Sequence, residues 1–399
     1  MTPTTCLLGL CTAVVLVASL SNAQAQIWTR TSAPNQIWQA VASSTDGTKM
    51  VAVASAGPGT PGPIYTSANS GVAWTLTSAP IVGWSSVASS ADGTHLAAVA
   101  FQNGIYTSTN AGTTWTKTTA PDEGWWSIAS SADGNQLVAT IGAGGLGGAF
   151  PIYASTNSGA TWARTSAPEL DWTSVACSAD GAKVVAGAGF GHNGIYLSPD
   201  FGGTWALATN LPSGLGWTYV ASSTDGVKLA AATQNSGIYT STNSGASWTL
   251  TTAPTNLVYT SVASSADGHH LAAVADSLSR GVYISTDSGA TWTATGSPST
   301  DANGGRAAIC ADGTKLVAAI TQGGIYVSFL PAMTLIKAVK PAFFGLSLGT
   351  NYQLQLSGDL SSWTNQGSPF IATNSTMTYP QYWDVDNWDE LIFRLQISP

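Results

Sequence analysis

Charge is what this chain lacks most. Of its 399 residues only 8% are Asp, Glu, Lys or Arg, and Glu occurs three times, at Glu123, Glu169 and Glu390. Twelve Lys and Arg scattered along a chain of net charge −8 cannot build a basic surface, which excludes nucleic acid and anionic membrane surfaces as partners. Cysteine is nearly as scarce. Cys6 and Cys11 lie in an N-terminal apolar segment, leaving Cys177 and Cys310, too few for a disulfide framework. The histidines, His95, His192, His269 and His270, are scattered, so no metal or other cofactor is expected, and the pair at 269 and 270 reads as solvated beside a turn. Long apolar runs are missing as well. The run Cys6 to Leu20 is too short for a comfortable membrane span. Followed by Ser21-Asn22-Ala23-Gln24-Ala25, it reads as a secretory signal over residues 1–25 with an Ala-x-Ala cleavage site, although no Lys or Arg precedes it. The expectation is a protein exported to the periplasm, the cell surface or the medium, with no membrane span in the mature form.

What the chain does contain is turn formers and aromatics: 43 Gly and 16 Trp in a sequence that is 44% apolar, too hydrophobic to be disordered. Seven Asp-Gly pairs recur, beginning at Asp46, Asp92, Asp133, Asp180, Asp225, Asp267 and Asp312, at steps of 41 to 47 residues. Each lies between two β-prone runs, as in Trp84-Ser-Ser-Val-Ala-Ser-Ser-Ala-Asp-Gly-Thr-His-Leu-Ala-Ala-Val-Ala100, and Asp-Gly in that setting is a hairpin signal because both residues accept positive φ. Seven units of this length, each with several short strands, predict an all-β fold, a seven-bladed β-propeller of four-stranded blades over residues 26–329. Cys177 and Cys310 fall in blades four and seven, which are not neighbours, so two buried, unpaired thiols are expected.

Between the third and fourth strands of a unit stands Ser-x-Asn/Asp-x-Gly-x-x-Trp, six times: Ser67 to Trp74, Ser108 to Trp115, Ser155 to Trp162, Ser198 to Trp205, Ser241 to Trp248 and Ser285 to Trp292. These copies resemble the Asp-box, or BNR repeat, of sialidases, plant-type photosystem II assembly factors, xyloglucan-cleaving propellers and sortilin-like receptors. The resemblance covers roughly residues 27 to 328 and implies the propeller fold far more than any activity. Its local chemistry is a turn: Asn69, Asn110, Asn157, Asp200, Asn243 and Asp287 bond their own backbone, Gly supplies positive φ, and Trp plugs the blade. Blade seven lacks a fourth strand of its own. Ile27-Trp28-Thr29-Arg30-Thr31-Ser32-Ala33-Pro34 matches one, and Trp28 precedes Asp46 by the same 18 residues that separate Trp74 from Asp92, so the N-terminus is expected to close the ring. Residues 330–399 depart from the pattern and alternate in a way that predicts a small C-terminal β-sandwich-like module, similar to accessory modules on exported bacterial proteins.

In a propeller the Asp-Gly and Asp-box turns share one face and the remaining loops the other, where function usually lies. Eight residues before each Asp-Gly aspartate comes an aromatic, Trp38, Trp84, Trp125, Trp172, Trp217 and Tyr259, with Gly304 in blade seven and Trp126 alongside. Two readings stay open: a ring of flat surfaces for sugar stacking, or interblade core. Asp122, Glu123, Glu169 and Asp171 sit in entry loops of the same face. Glu123 and Asp171 are the candidates for glycosidase acid and base or nucleophile, against a solvated loop surface. Arg280 and Arg306 approach this mouth and could hold a carboxylate. Sialidases use three arginines, an Arg-Ile-Pro-like motif and a Tyr–Glu pair, and the photosystem factors carry an arginine-rich patch. The four propeller arginines, Arg30, Arg164, Arg280 and Arg306, reproduce neither pattern. The reading is a monomeric, non-catalytic binding or scaffolding propeller with a glycan or protein ligand. The alternatives are a glycoside hydrolase and a repetitive surface or matrix protein.

Overall fold

The computed structural model describes all residues except 1–26, 58, 143–147, 190–193, 277–280, 296–304, 321–322, 330–337, 340–341, 345, 358–361, 379–382, 385–391 and 398–399. The signal segment, Arg280, His192, Gly304 and Glu390 therefore lie outside the described residues.

Seven four-stranded antiparallel sheets follow one another along the chain. Blade one consists of Trp38–Ser43, Met50–Ala54, Ile64–Ser67 and Thr75–Leu76, and the next five repeat that plan. Blade seven takes Gly305–Ile309, Lys315–Ile320 and Ile325–Phe329 from its own repeat and Thr29–Arg30 from the N-terminus, with Thr29 opposite Val327 and Arg30 opposite Tyr326. The expected closing strand is thus in place. First strands contact the first strands of both neighbouring blades, including blade seven with blade one, so they line the central channel. Second strands such as Leu96–Ala100 are buried along their length, with only Asp276 at the end of blade six's partly exposed, because a neighbouring blade presses on each face. Their Ala and Val side chains keep that separation short.

A second closure runs through the backbone. The residue before each Asp-Gly donates its N–H to the carbonyl of the same residue in the next blade: Thr45 to Ala91, Ala91 to Ala132, Ala132 to Ala179, Ala179 to Thr224, Thr224 to Ala266, Ala266 to Ala311, and Ala311 back to Thr45, all at 2.7 to 2.9 Å. These N–H groups lie in the turns just past the ends of the first strands and would otherwise be left to water; here each finds the carbonyl of the next turn, in a circle.

The turns on this face are built as their residues predict. Ser44 Oγ donates to Asp46 Oδ1 at 2.6 Å, Thr48 N donates to the same oxygen, and Lys49 N donates to Ser44 Oγ. Both turn types do share a face, since Ser70 N of the Asp-box donates to Thr48 O of the Asp-Gly turn, as do its counterparts in the next five blades. In the boxes Asn110 Oδ1 accepts from Ser108 Oγ and Thr114 N. The positive φ is not the glycine's alone: Ser70, Ala111, Ser158, Phe201, Ser244 and Ser288, one residue earlier, all lie between 54° and 59°. The box tryptophans plug less deeply than expected, with Trp248 buried and the other five partly exposed.

Cys310 occupies the Ser position of the seventh turn, its thiol donating to Asp312 Oδ1 at 2.7 Å. Cys177, one residue further from its turn, is partly exposed as a residue, but its sulfur is enclosed and burial pushes the thiol up to about 12. Neither is in a disulfide.

The propeller unit ends at Pro331, and Ala332–Pro399 belong to a second compact unit. There Asn351–Ser357 runs between Thr364–Ile371 and Ile392–Ile397 in a three-stranded sheet, and two short ribbons pair Ala338–Val339 with Trp383–Asp384 and Ala342–Phe344 with Thr376–Thr378. Leu346, Tyr352, Leu354 and Ala372 form its described core.

Candidate functional site

The loop face is stitched by backbone bonds between neighbouring connections, such as Gly62 N to Val82 O and Gln102 N to Glu123 O. On it the six aromatics of the first strands are not a platform. Trp38, Trp84, Trp125, Trp172, Trp217 and Tyr259 are all 0 to 1% exposed, with no ring face left for a sugar. Each meets the third-strand Tyr of its own blade edge-on, as Trp84 meets Tyr106 at 5.3 Å, and in four blades the box Trp is clearly adjacent, as Trp84 is to Trp115 at 6.5 Å. The strand closest to the axis is also the most enclosed by its neighbours. A large ring at its start therefore fills the interblade seam rather than the mouth. Trp126, the extra residue of a β-bulge, is the exception and keeps partial exposure.

The carboxylates are dispersed in their chemistry. Asp122 pairs with Lys117 at 2.7 Å and Glu169 pairs with Arg164, tying these loop carboxylates to cations on the outer strands. Glu123 is exposed, as expected for a loop residue, and holds Trp125 N and Gln102 N through its backbone carbonyl. Asp171 is not the solvated loop residue that the sequence suggested: it is 1% exposed, enclosed where Leu170 bridges to Phe150 of the preceding blade. No cluster of three or more metal-ligating side chains occurs among the described residues. The histidines are not all solvated either. His95 and His270 are partly buried, each lying under the Asp-Gly glycine of the next blade, where a Cβ on Gly134 or Gly313 would come within 2.4 Å of them.

One register escaped the sequence reading. Six residues before the Asp-Gly aspartate, five blades carry a small buried residue: Ala40, Ser86, Ser127, Ser174 and Ser261. Three of these serines accept the free edge N–H of the following blade's first strand, from Val175, Val220 and Ala307, at 3.1 to 3.2 Å. Blades five and seven break the rule with Tyr219 and Arg306. Arg306 Nη1 donates to Thr260 O at 2.7 Å and to Gly305 O at 3.2 Å, and its guanidinium carbon lies 5.1 Å from the centre of the Tyr219 ring. The side chain thus leaves blade seven, crosses the first strand of blade six and rests on an aromatic of blade five, a contact favoured when partly desolvated. Neither residue is fully buried. Aligning the seven repeats on Asp-Gly would have exposed both substitutions.

No protein-family model and no curated protein matches the sequence. Solved structures do match it in shape. YCF48 from Cyanidioschyzon merolae superposes with a TM-score of 0.56 at 14% identity, covering 77% of this chain and 99% of its own. A structure described as YCF48 bound to D1 peptide gives 0.57 at 13%, covering 78% and 97%. At such identities the likeness defines an Asp-box β-propeller fold and nothing narrower.

Proposed function

We propose that this is an exported, non-catalytic binding or scaffolding propeller whose partner meets the loop face. One contrast carries the reading. The Asp-Gly face keeps the same turn bonds in every blade, with only Cys310 standing in for a serine, whereas the first strands toward the loop face carry large departures from the repeat, Trp126, Tyr219 and Arg306, and departures from a structural repeat are where a specific ligand can be read. With the six aromatic rings enclosed, a stacked glycan loses its surface and a protein segment becomes the favoured ligand. That one solved propeller of this shape is described with a peptide is consistent with it. The hydrolase alternative loses ground because Asp122 and Glu169 are held in ion pairs, Asp171 is enclosed and Glu123 stands in open solvent, so the paired carboxylates that glycoside hydrolysis uses are not assembled here. The test is a panel of chromogenic glycosides with wild type, Glu123→Gln and Asp171→Asn. No turnover by any of the three is expected. Turnover by wild type that disappears in either variant would replace the binding role with an enzymatic one.

A further inference from the structure

We propose that the Arg306–Tyr219 pair is a carboxylate-binding site at the wall of the central channel. The proposal rests on the binding role and names the chemistry the loop face would recognise. Its first support is register. At a position where five blades place Ala or Ser, an arginine and a tyrosine appear in the two blades that flank blade six, and the arginine is long enough to meet the tyrosine across it. A packing requirement of the repeat cannot be the reason, because the repeat packs with Ser or Ala.

The second support is how the guanidinium is held. Nη1 donates to two carbonyls, Thr260 O and Gly305 O, and one face of the planar guanidinium lies over the Tyr219 ring. These contacts fix the plane and leave the edge formed by Nε and Nη2, the side of the fork that grips a carboxylate through two parallel bonds. The other described propeller arginines are engaged at the outer rim, Arg164 with Glu169 and Arg30 with Asn35. Arg306 has no carboxylate partner among the described residues. An arginine immobilised in advance has less rotamer entropy left to lose when an anion arrives, which is the condition for useful affinity from a single charge pair. The net charge of −8 selects against polyanions and leaves a ligand bearing one carboxylate as the fitting class.

The carboxylate could belong to a free organic acid or to a peptide, and the experiment separates the two. The full mature chain is titrated with benzoate, with a short peptide ending in a free carboxylate, and with the same peptide amidated, following the Tyr219 resonances and the heat of binding. Arg306→Ser and Tyr219→Ser restore the residue used by the other blades, so both variants are expected to fold, and circular dichroism checks that. Binding of benzoate or the free-acid peptide should weaken at least tenfold in Arg306→Ser and severalfold in Tyr219→Ser, and should be unchanged in Arg164→Gln. Preference for the peptide over benzoate, lost on amidation, assigns the carboxylate to a chain end; equal binding assigns it to a free acid. The proposal is overturned if no carboxylate probe binds folded wild type, or if folded Arg306→Ser binds as wild type does. A partner that binds the loop face despite that result would leave the binding role standing, whereas glycosidase turnover would remove that role and leave the titration unaffected.

Discussion

The two faces of the propeller are made from the same seven repeats and obey different rules. On the Asp-Gly face the turn bonds are the same from blade to blade except that the Cys310 thiol replaces the serine hydroxyl in the seventh, and a ring of seven backbone bonds passes from blade to blade. On the loop face the connections vary, and the first-strand register of small residues is broken by Tyr219 and Arg306. Symmetry on one side carries the fold, and that frees the other side to differ between blades. Variants that act on the first face should change stability and leave carboxylate binding alone.

The largest effect should come from the core that separates the faces. Trp125 is fully enclosed and packs on Tyr153 and Trp162, so Trp125→Ala should cost about 3 to 5 kcal/mol, read from chemical denaturation. A loss below about 1 kcal/mol would return that ring to the ligand surface. Next comes the seam that closes the ring. Lys315 is buried, and its amine donates to Gly47 O and Ser70 Oγ at 2.9 Å across the junction of blades seven and one. Lys315→Met should cost roughly 2 to 3 kcal/mol and broaden the thermal transition, because a ring opened at one seam unfolds less cooperatively. A sharp transition at the wild-type temperature would show that the closing strand alone holds the junction.

Acid provides a graded test of the same face. Bonds from Ser44 and from the Thr48 backbone hold Asp46 at about 2 against an ordinary 3.8, and the Ser90 hydroxyl lowers Asp92 in the same way. Because the folded value is the lower one, each carboxylate contributes stability in full above about pH 4, and the contribution is lost as pH falls through the folded value. The melting temperature should therefore be flat above pH 4 with respect to these groups and fall toward pH 2, with a shallower acid limb in Asp92→Asn. An identical limb in that variant would assign the acid sensitivity elsewhere. The smallest effect should be a gain: Cys310→Ser restores the hydroxyl used in the other six turns and should stabilise by about 1 kcal/mol or less in denaturant titration. Destabilisation would mean that blade seven has repacked around sulfur.

The repeat was legible because its signals are local. Asp-Gly turns, box glycines and the alternation around them act over a few residues, which is also why Trp28-Thr29-Arg30 could be matched to a missing strand some three hundred residues away. The site was less legible. Glu123 was correctly read as an exposed loop residue, but Asp171, with much the same flanking composition, is enclosed by a neighbouring blade that no local pattern announces.

By itself, then, the sequence determined the number of blades, their strands, the closure and the sharing of turns between faces, since hydrogen-bonding and φ preferences are properties of short segments. Which aromatic rings are covered, and where Arg306 comes to rest, was decided only when the blades stacked. Burial and the meeting of Arg306 with Tyr219, 87 positions apart, depend on what the neighbouring blades bring to the seam, and that information resides in no single repeat.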